Sequence, residues 1–69
     1  MYKLSARNQF PGKVIAVEKG AVNSIVKLEV LGGNVITATI SNAAVEDLEL
    51  AEGVDATAVV KATSVMIGR

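Results

Sequence analysis

The stretch that decides the fold reads AVNSIVKLEVL from Ala21 to Leu31, then GGN from Gly32 to Asn34, then VITATI from Val35 to Ile40. In the first segment Val22, Ser24, Val26, Leu28 and Val30 share one parity, and Asn23, Ile25, Lys27, Glu29 and Leu31 share the other. A period of two with one face more apolar marks a half-buried β-strand, because successive side chains leave a strand on opposite sides. Gly32 and Gly33 reach positive φ without a Cβ penalty, and Asn34 tolerates it, so the chain is expected to reverse here as a hairpin. The returning strand then puts Ile36, Ala38 and Ile40 on one face and Val35, Thr37 and Thr39 on the other.

Toward the N-terminus, Lys13 to Lys19 is an apolar, β-branched run. Pro11-Gly12 before it is a turn signal that sets where the strand begins, and Lys19-Gly20 marks a tight reversal. Toward the C-terminus, Ser41 predicts a helix N-cap, with Glu46 and Asp47 near the positive end of the dipole. Val45 and Leu48 give that helix an apolar stripe, and it ends after about two turns, before Glu52-Gly53. Val54 to Lys61 predicts a further strand with Val54, Ala56, Ala58 and Val60 inward. Thr63-Ser64 interrupts it, and Val65-Met66-Ile67 predicts a last short strand. The expectation is an all-β fold: a five-stranded OB-like Greek-key barrel with one short helix between strands 3 and 4, residues 1–69 forming a single domain. An SH3-like barrel accommodates the same strands.

Composition narrows the function. A chain of 69 residues is one small domain that buries only about 60% of its unfolded surface, so it needs a staple. It has no cysteine for disulfides and no histidine, which leaves zinc or copper only carboxylates, a donor set that suits neither. The remaining staple is association: 51% of the residues are hydrophobic and a domain this small has little interior in which to hide them. The seven basic and seven acidic residues cancel, so the field expected of a general nucleic-acid binder is missing. No apolar stretch approaches the roughly 20 residues of a membrane span, and no h-region follows Met1, so the cytoplasm is the expected location.

Glu46, Asp47, Glu49 and Glu52 read as a solvated helix face, because calcium-loop spacing is absent. Gly32-Gly33 lacks the Lys-Ser/Thr and the helix that a phosphate-binding loop requires. Three polar places can donate hydrogen bonds to an anion. Ser5 to Gln9 offers a hydroxyl, the Arg7 guanidinium and two side-chain amides. Ser41 to Ala44 offers the amides of a helix start flanked by small side chains. Lys61 to Ser64 ends a strand in a cation, a small residue and two hydroxyls.

Taken together, SARNQ at Ser5–Gln9, GKV at Gly12–Val14, the double-glycine hairpin, ITATIS at Ile36–Ser41 and VVKATSVMIG at Val59–Gly68 resemble the molbindin family, the Mop or TOBE domain. That resemblance covers essentially the whole chain. It implies an OB-like barrel in a homo-oligomer, a hexamer built as a trimer of dimers, that stores molybdate or tungstate at subunit interfaces. It implies that Ser5, Ala6, Arg7, Lys61 and Ala62 come from one subunit and that Ser41 and Ala44 come from a neighbour. At Ala44 some relatives carry a hydroxyl residue, so only a backbone amide is available here. For a second anion site near a three-fold axis, the turn Lys19-Gly20-Ala21-Val22 is the candidate.

The chemistry suits that reading. Molybdate is a tetrahedral dianion with only acceptor oxygens, so its site needs several donors and no carboxylate, and charged donors are the stronger ones. No organic cofactor and no direct protein–metal ligand is expected, and no membrane or nucleic-acid partner. The rival readings are an OB-fold nucleic-acid module, which wants stacking aromatics where this chain has only Tyr2 and Phe10, and a regulatory TOBE-type module. Met1 standing directly before the motif favours a free-standing protein. Catalysis is the weakest class, since no nucleophile–base pair is present.

Overall fold

The computed structural model describes residues 4–69. Strands β1 (Asn8–Lys19), β2 (Asn23–Val30) and β3 (Val35–Ser41) precede helix α1 (Asn42–Asp47), and β4 (Asp55–Val60) follows it. All pairings are antiparallel and the spatial order is β3-β2-β1-β4. Three consecutive strands with a fourth returning beside the first is the Greek-key arrangement. From Asn23 on, the alternating segment behaves as its parity predicts: Ser24, Val26 and Leu28 are buried and Val30 is half-buried, while Ile25 and Glu29 are exposed; Val22, of the same parity, lies before β2 and is 72% exposed. The hairpin after it contains Gly32 at φ 87° and Gly33 at φ 82°.

β1 begins earlier than its apolar run, and Pro11-Gly12 lies inside it rather than in a turn. Pro11 pairs with Thr57 of β4, one residue before the β1–β2 ladder opens at Gly12↔Val30, where its missing N–H breaks no bond to β2. Gly12 lies where both ladders overlap, opposite Val30 and Ala56, and a Cβ there would collide with the Glu29 carbonyl oxygen. Further along, the register slips between Val14 and Ala16, leaving Ile15 as the extra residue of a β-bulge. Val14 opposes Leu28 and Val17 opposes Val26, so residues three apart on β1 meet residues two apart on β2. That slip hides any alternation in the β1 sequence.

The core is small. Val14, Val26, Leu28 and Val45 are buried, with Val17, Val30, Ile40, Leu50, Ala56 and Ala58 packed around them. Val45 is therefore the helix residue that docks. Leu48, expected beside it, is 62% exposed, because α1 stops at Asp47 and Leu48 only caps it. Glu46 and Asp47 fall in the last turn of α1, so they do not sit at its positive end. Glu49 follows in the left-handed region at φ 52°, where its N–H donates to the Glu46 carbonyl as the chain leaves the helix.

The fifth strand predicted at Val65–Ile67 does not form, and among the described residues the sheet has four strands. Ala62–Ser64 instead makes a single tight turn, and beyond it Met66 and Ile67 are each 91% exposed. Their apolar, β-prone character was real, but among the described residues no strand pairs with them. Among the described residues no helix is long and apolar enough to cross a membrane.

Candidate functional site

The β1–β4 ladder runs from Lys13↔Asp55 to Asn8↔Val60 and stops there. In an antiparallel pair the next residues outward, Arg7 on one side and Lys61 on the other, leave the same end of the ladder. Segments 5–7 and 61–63 are thus brought together by register, although more than 50 residues separate them. They line an open depression of about 460 Å³ with Ser5, Ala6, Arg7, Val59, Lys61, Ala62 and Thr63 on its walls. Five of the sequence-expected residues, Ser5, Ala6, Arg7, Lys61 and Ala62, therefore meet. Thr63 joins them, a hydroxyl visible in the KATS stretch but not singled out.

Backbone and amide bonds hold the two walls. The Asn8 side chain donates to the Val60 carbonyl at 3.3 Å, and the Gln9 side chain donates to the Ala6 carbonyl at 3.0 Å. These two amides, which the sequence offers as anion donors, are instead braces for the segment that carries Ser5 and Arg7. Opposite them, the amides of Ser64 and Val65 donate to the carbonyls of Lys61 and Ala62 at 2.9 and 3.2 Å, closing the turn. No carboxylate lines the depression, and neither Arg7 nor Lys61 forms an ion pair among the described residues. Two like charges at the same end of a ladder repel each other, so an anion between them is favoured.

Ser41 and Ala44 lie elsewhere, at the far edge of the sheet where β3 passes into α1. The Ser41 hydroxyl oxygen accepts from the Ala44 amide at 3.1 Å. The cap is as expected, and it consumes the one Ala44 group that could reach an anion. The Ser41 hydroxyl proton stays available for donation. The Lys19–Val22 turn is packed beside this helix start: Asn42 donates from its backbone to the Val22 carbonyl (2.9 Å) and from its side chain to the Gly20 carbonyl (3.0 Å). Lys19 reaches Glu46 at 4.0 Å in an exposed pair. Sequence reasoning missed Asn42, because its partners come from a different strand pair.

A larger open depression of about 830 Å³ is lined by Pro11, Gly12, Lys13, Glu29, Asp55, Ala56 and Thr57. There Lys13 pairs with Asp55 at 3.5 Å and faces Glu29 across β2, so one cation meets two carboxylates. That balance repels an oxyanion. Among the described residues no group of three or more acidic side chains is placed to hold a metal ion.

The sequence profile of the TOBE domain matches residues 4–67. A probable molybdenum-pterin-binding protein of Haemophilus influenzae is 54% identical over 66 residues, covering 96% of each chain. The structure of MopII from Clostridium pasteurianum superposes with a TM-score of 0.92 at 52% identity, covering 97% of this chain and all of that one. A molybdate-bound structure of ModG, described as a cytoplasmic molybdate-binding protein, superposes with a TM-score of 0.85 at 48% identity, over 88% of this chain and 43% of its own.

Proposed function

This chain belongs to the TOBE domain family, and from that premise we propose that it is a molybdate-binding protein, not an enzyme, that stores the oxyanion in the cytoplasm. The observation that carries the reading is the pairing of Arg7 and Lys61 at the mouth of a depression without carboxylates. A tetrahedral dianion offers acceptors in every direction, and the two cations, the Ser5 and Thr63 hydroxyls and the nearby amides can each donate to it. Tungstate has the same charge and shape and binds at the same place. The bound oxyanion is the cargo, and no further cofactor takes part.

The depression is open, and a single chain surrounds only one side of an anion. The second side, in this reading, is the start of α1 in a neighbouring copy, where the Ser41 hydroxyl donates and the Ala44 amide holds its oxygen, within a homohexamer arranged as a trimer of dimers. The Lys19-Gly20-Ala21-Val22 turn forms the second kind of site. Association is supported by a core of four buried aliphatic residues beside a surface on which Leu31, Met66 and Ile67 are almost fully exposed. The sharing of β1 between β2 and β4, with a short helix after β3, supports an OB-like barrel as the finer description of the fold.

The test is equilibrium titration with molybdate, tungstate and sulfate, together with native mass. Molybdate and tungstate bind and sulfate does not. Arg7→Ala and Lys61→Ala each remove a charge-assisted donor worth about 1.5–3 kcal/mol, which weakens binding roughly 10- to 100-fold and leaves the circular dichroism unchanged. Unaltered affinity in both variants moves the site elsewhere, and a monomer that takes up none of the three anions ends the reading.

A further inference from the structure

Asn42 uses its backbone N–H and both polar atoms of its side chain to join two segments. Its backbone N–H donates to the Val22 carbonyl at 2.9 Å, its side-chain Nδ2 donates to the Gly20 carbonyl at 3.0 Å, and its Oδ1 accepts from the Ser24 hydroxyl. Ser24 is itself 1% exposed, within the core face of β2. The residue before Asn42 is the cap Ser41, and the residues it grips belong to the β1–β2 turn. A peptide plane carries its C=O and the following N–H in opposite directions. Holding the Gly20 carbonyl against Asn42 therefore aims the Ala21 amide away from the clip, and that amide has no partner among the described residues. Gly20 closes the same turn by donating to the Asn23 carbonyl at 2.8 Å.

We infer that Asn42 is a positioning residue for oxyanion binding, tying the β1–β2 turn to the Ser41 cap so that the Ala21 amide and the Ser41 hydroxyl each keep a fixed place. The inference rests on the molybdate reading given above. Asn42 touches no anion in this scheme. Its loss leaves every contacting group present but lets them move independently, and the lost order must be supplied on binding. The buried Ser24 anchors the clip to the core, so its role is stability.

The experiment is molybdate titration of the full chain as wild type, Asn42→Ala, Asn42→Asp and Ser24→Ala, with melting and amide exchange at Ala21 measured on each. Asn42→Ala is expected to lose about tenfold in affinity, the scale of outer partners around a bound ion, while Ala21 exchanges faster. Asn42→Asp keeps an acceptor for Ser24 but loses the donor to Gly20. In salt sufficient to screen its added charge, it is expected to fall with Asn42→Ala. Ser24→Ala keeps the Gly20 bond, so it melts lower yet binds as wild type. A merely structural Asn42 would give the opposite pattern, affinity following melting temperature across all three variants, and that result overturns the inference. So does wild-type affinity in folded Asn42→Ala or, should that variant not fold, in Asn42→Asp. Absence of molybdate binding by the wild type instead removes the functional reading beneath it.

Discussion

Where β1 runs beside β2, at Val14 and Val17, it packs against Val26, Leu28 and Val45, and the residues between are fixed by a bulge. Where it runs beside β4, from Asn8 to Phe10, its partners are Val60 to Ala58 and no side chain is fully buried. The first end holds the fold together with few groups that could meet a ligand. The second end is thinly packed, polar and open, and carries the paired cations. A domain with a core this small cannot maximise both packing and access in one place. It separates them along one strand, and Gly12 is the seam, opposite Val30 in one ladder and Ala56 in the other.

The largest effect that tests this division is Leu28→Ala. Truncating a side chain that is 5% exposed costs about 2–5 kcal/mol, read as a lower denaturation midpoint at unchanged slope. For a domain of this size that is much of its total stability. Next is Gly12→Ala. A Cβ there meets the Glu29 carbonyl oxygen and comes to 3.1 Å from the Val30 Cα, backbone atoms that can yield only by moving β2. It is expected to cost about 1–3 kcal/mol and to weaken molybdate uptake as well, because the seam holds both ends in register. An affinity equal to wild type in a folded Gly12→Ala would show the ends to be independent. The smallest effect is a gain: Glu49→Gly relieves a left-handed conformation at φ 52° and adds up to about 1 kcal/mol, with oxyanion affinity untouched.

What could be read from the residues follows the same division. β2, β3 and β4 announce themselves by local alternation, and Ser41 and the Gly32-Gly33 turn by chemistry within a few positions. Asn8 to Gly12 does not, because its strand state comes from pairing with β4 far along the chain, and its Pro-Gly pair imitates a turn. Met66 and Ile67 show the converse: local strand preference unmet by any neighbouring strand of the chain. In the site, Ser5 to Arg7 and Lys61 to Ala62 were linked only through the family resemblance. Their meeting has a simple physical cause, the last rung Asn8↔Val60, but that rung cannot be deduced from either segment alone. Asn42 was illegible for the same reason, since two of its partners lie in a turn some 20 residues away.

The bulge at Ile15 gives β1 a further property, that of a ruler with a fixed number of divisions. One end of the twelve-residue strand sets the paired cations, and the other delivers Gly20 and Val22 to Asn42. Removing Ile15 would set Val14 and Ala16 side by side opposite Leu28 and Lys27, keeping the register with β2 but losing the local bend and extra twist of the bulge. Adding or removing a residue anywhere else in β1 would turn the side chains beyond it to the opposite face. Away from the bulge, length within β1 is therefore as constrained as identity, while the hairpin tip at Leu31–Gly33 and the connection after α1 are the places where such a chain can lengthen without losing its gauge.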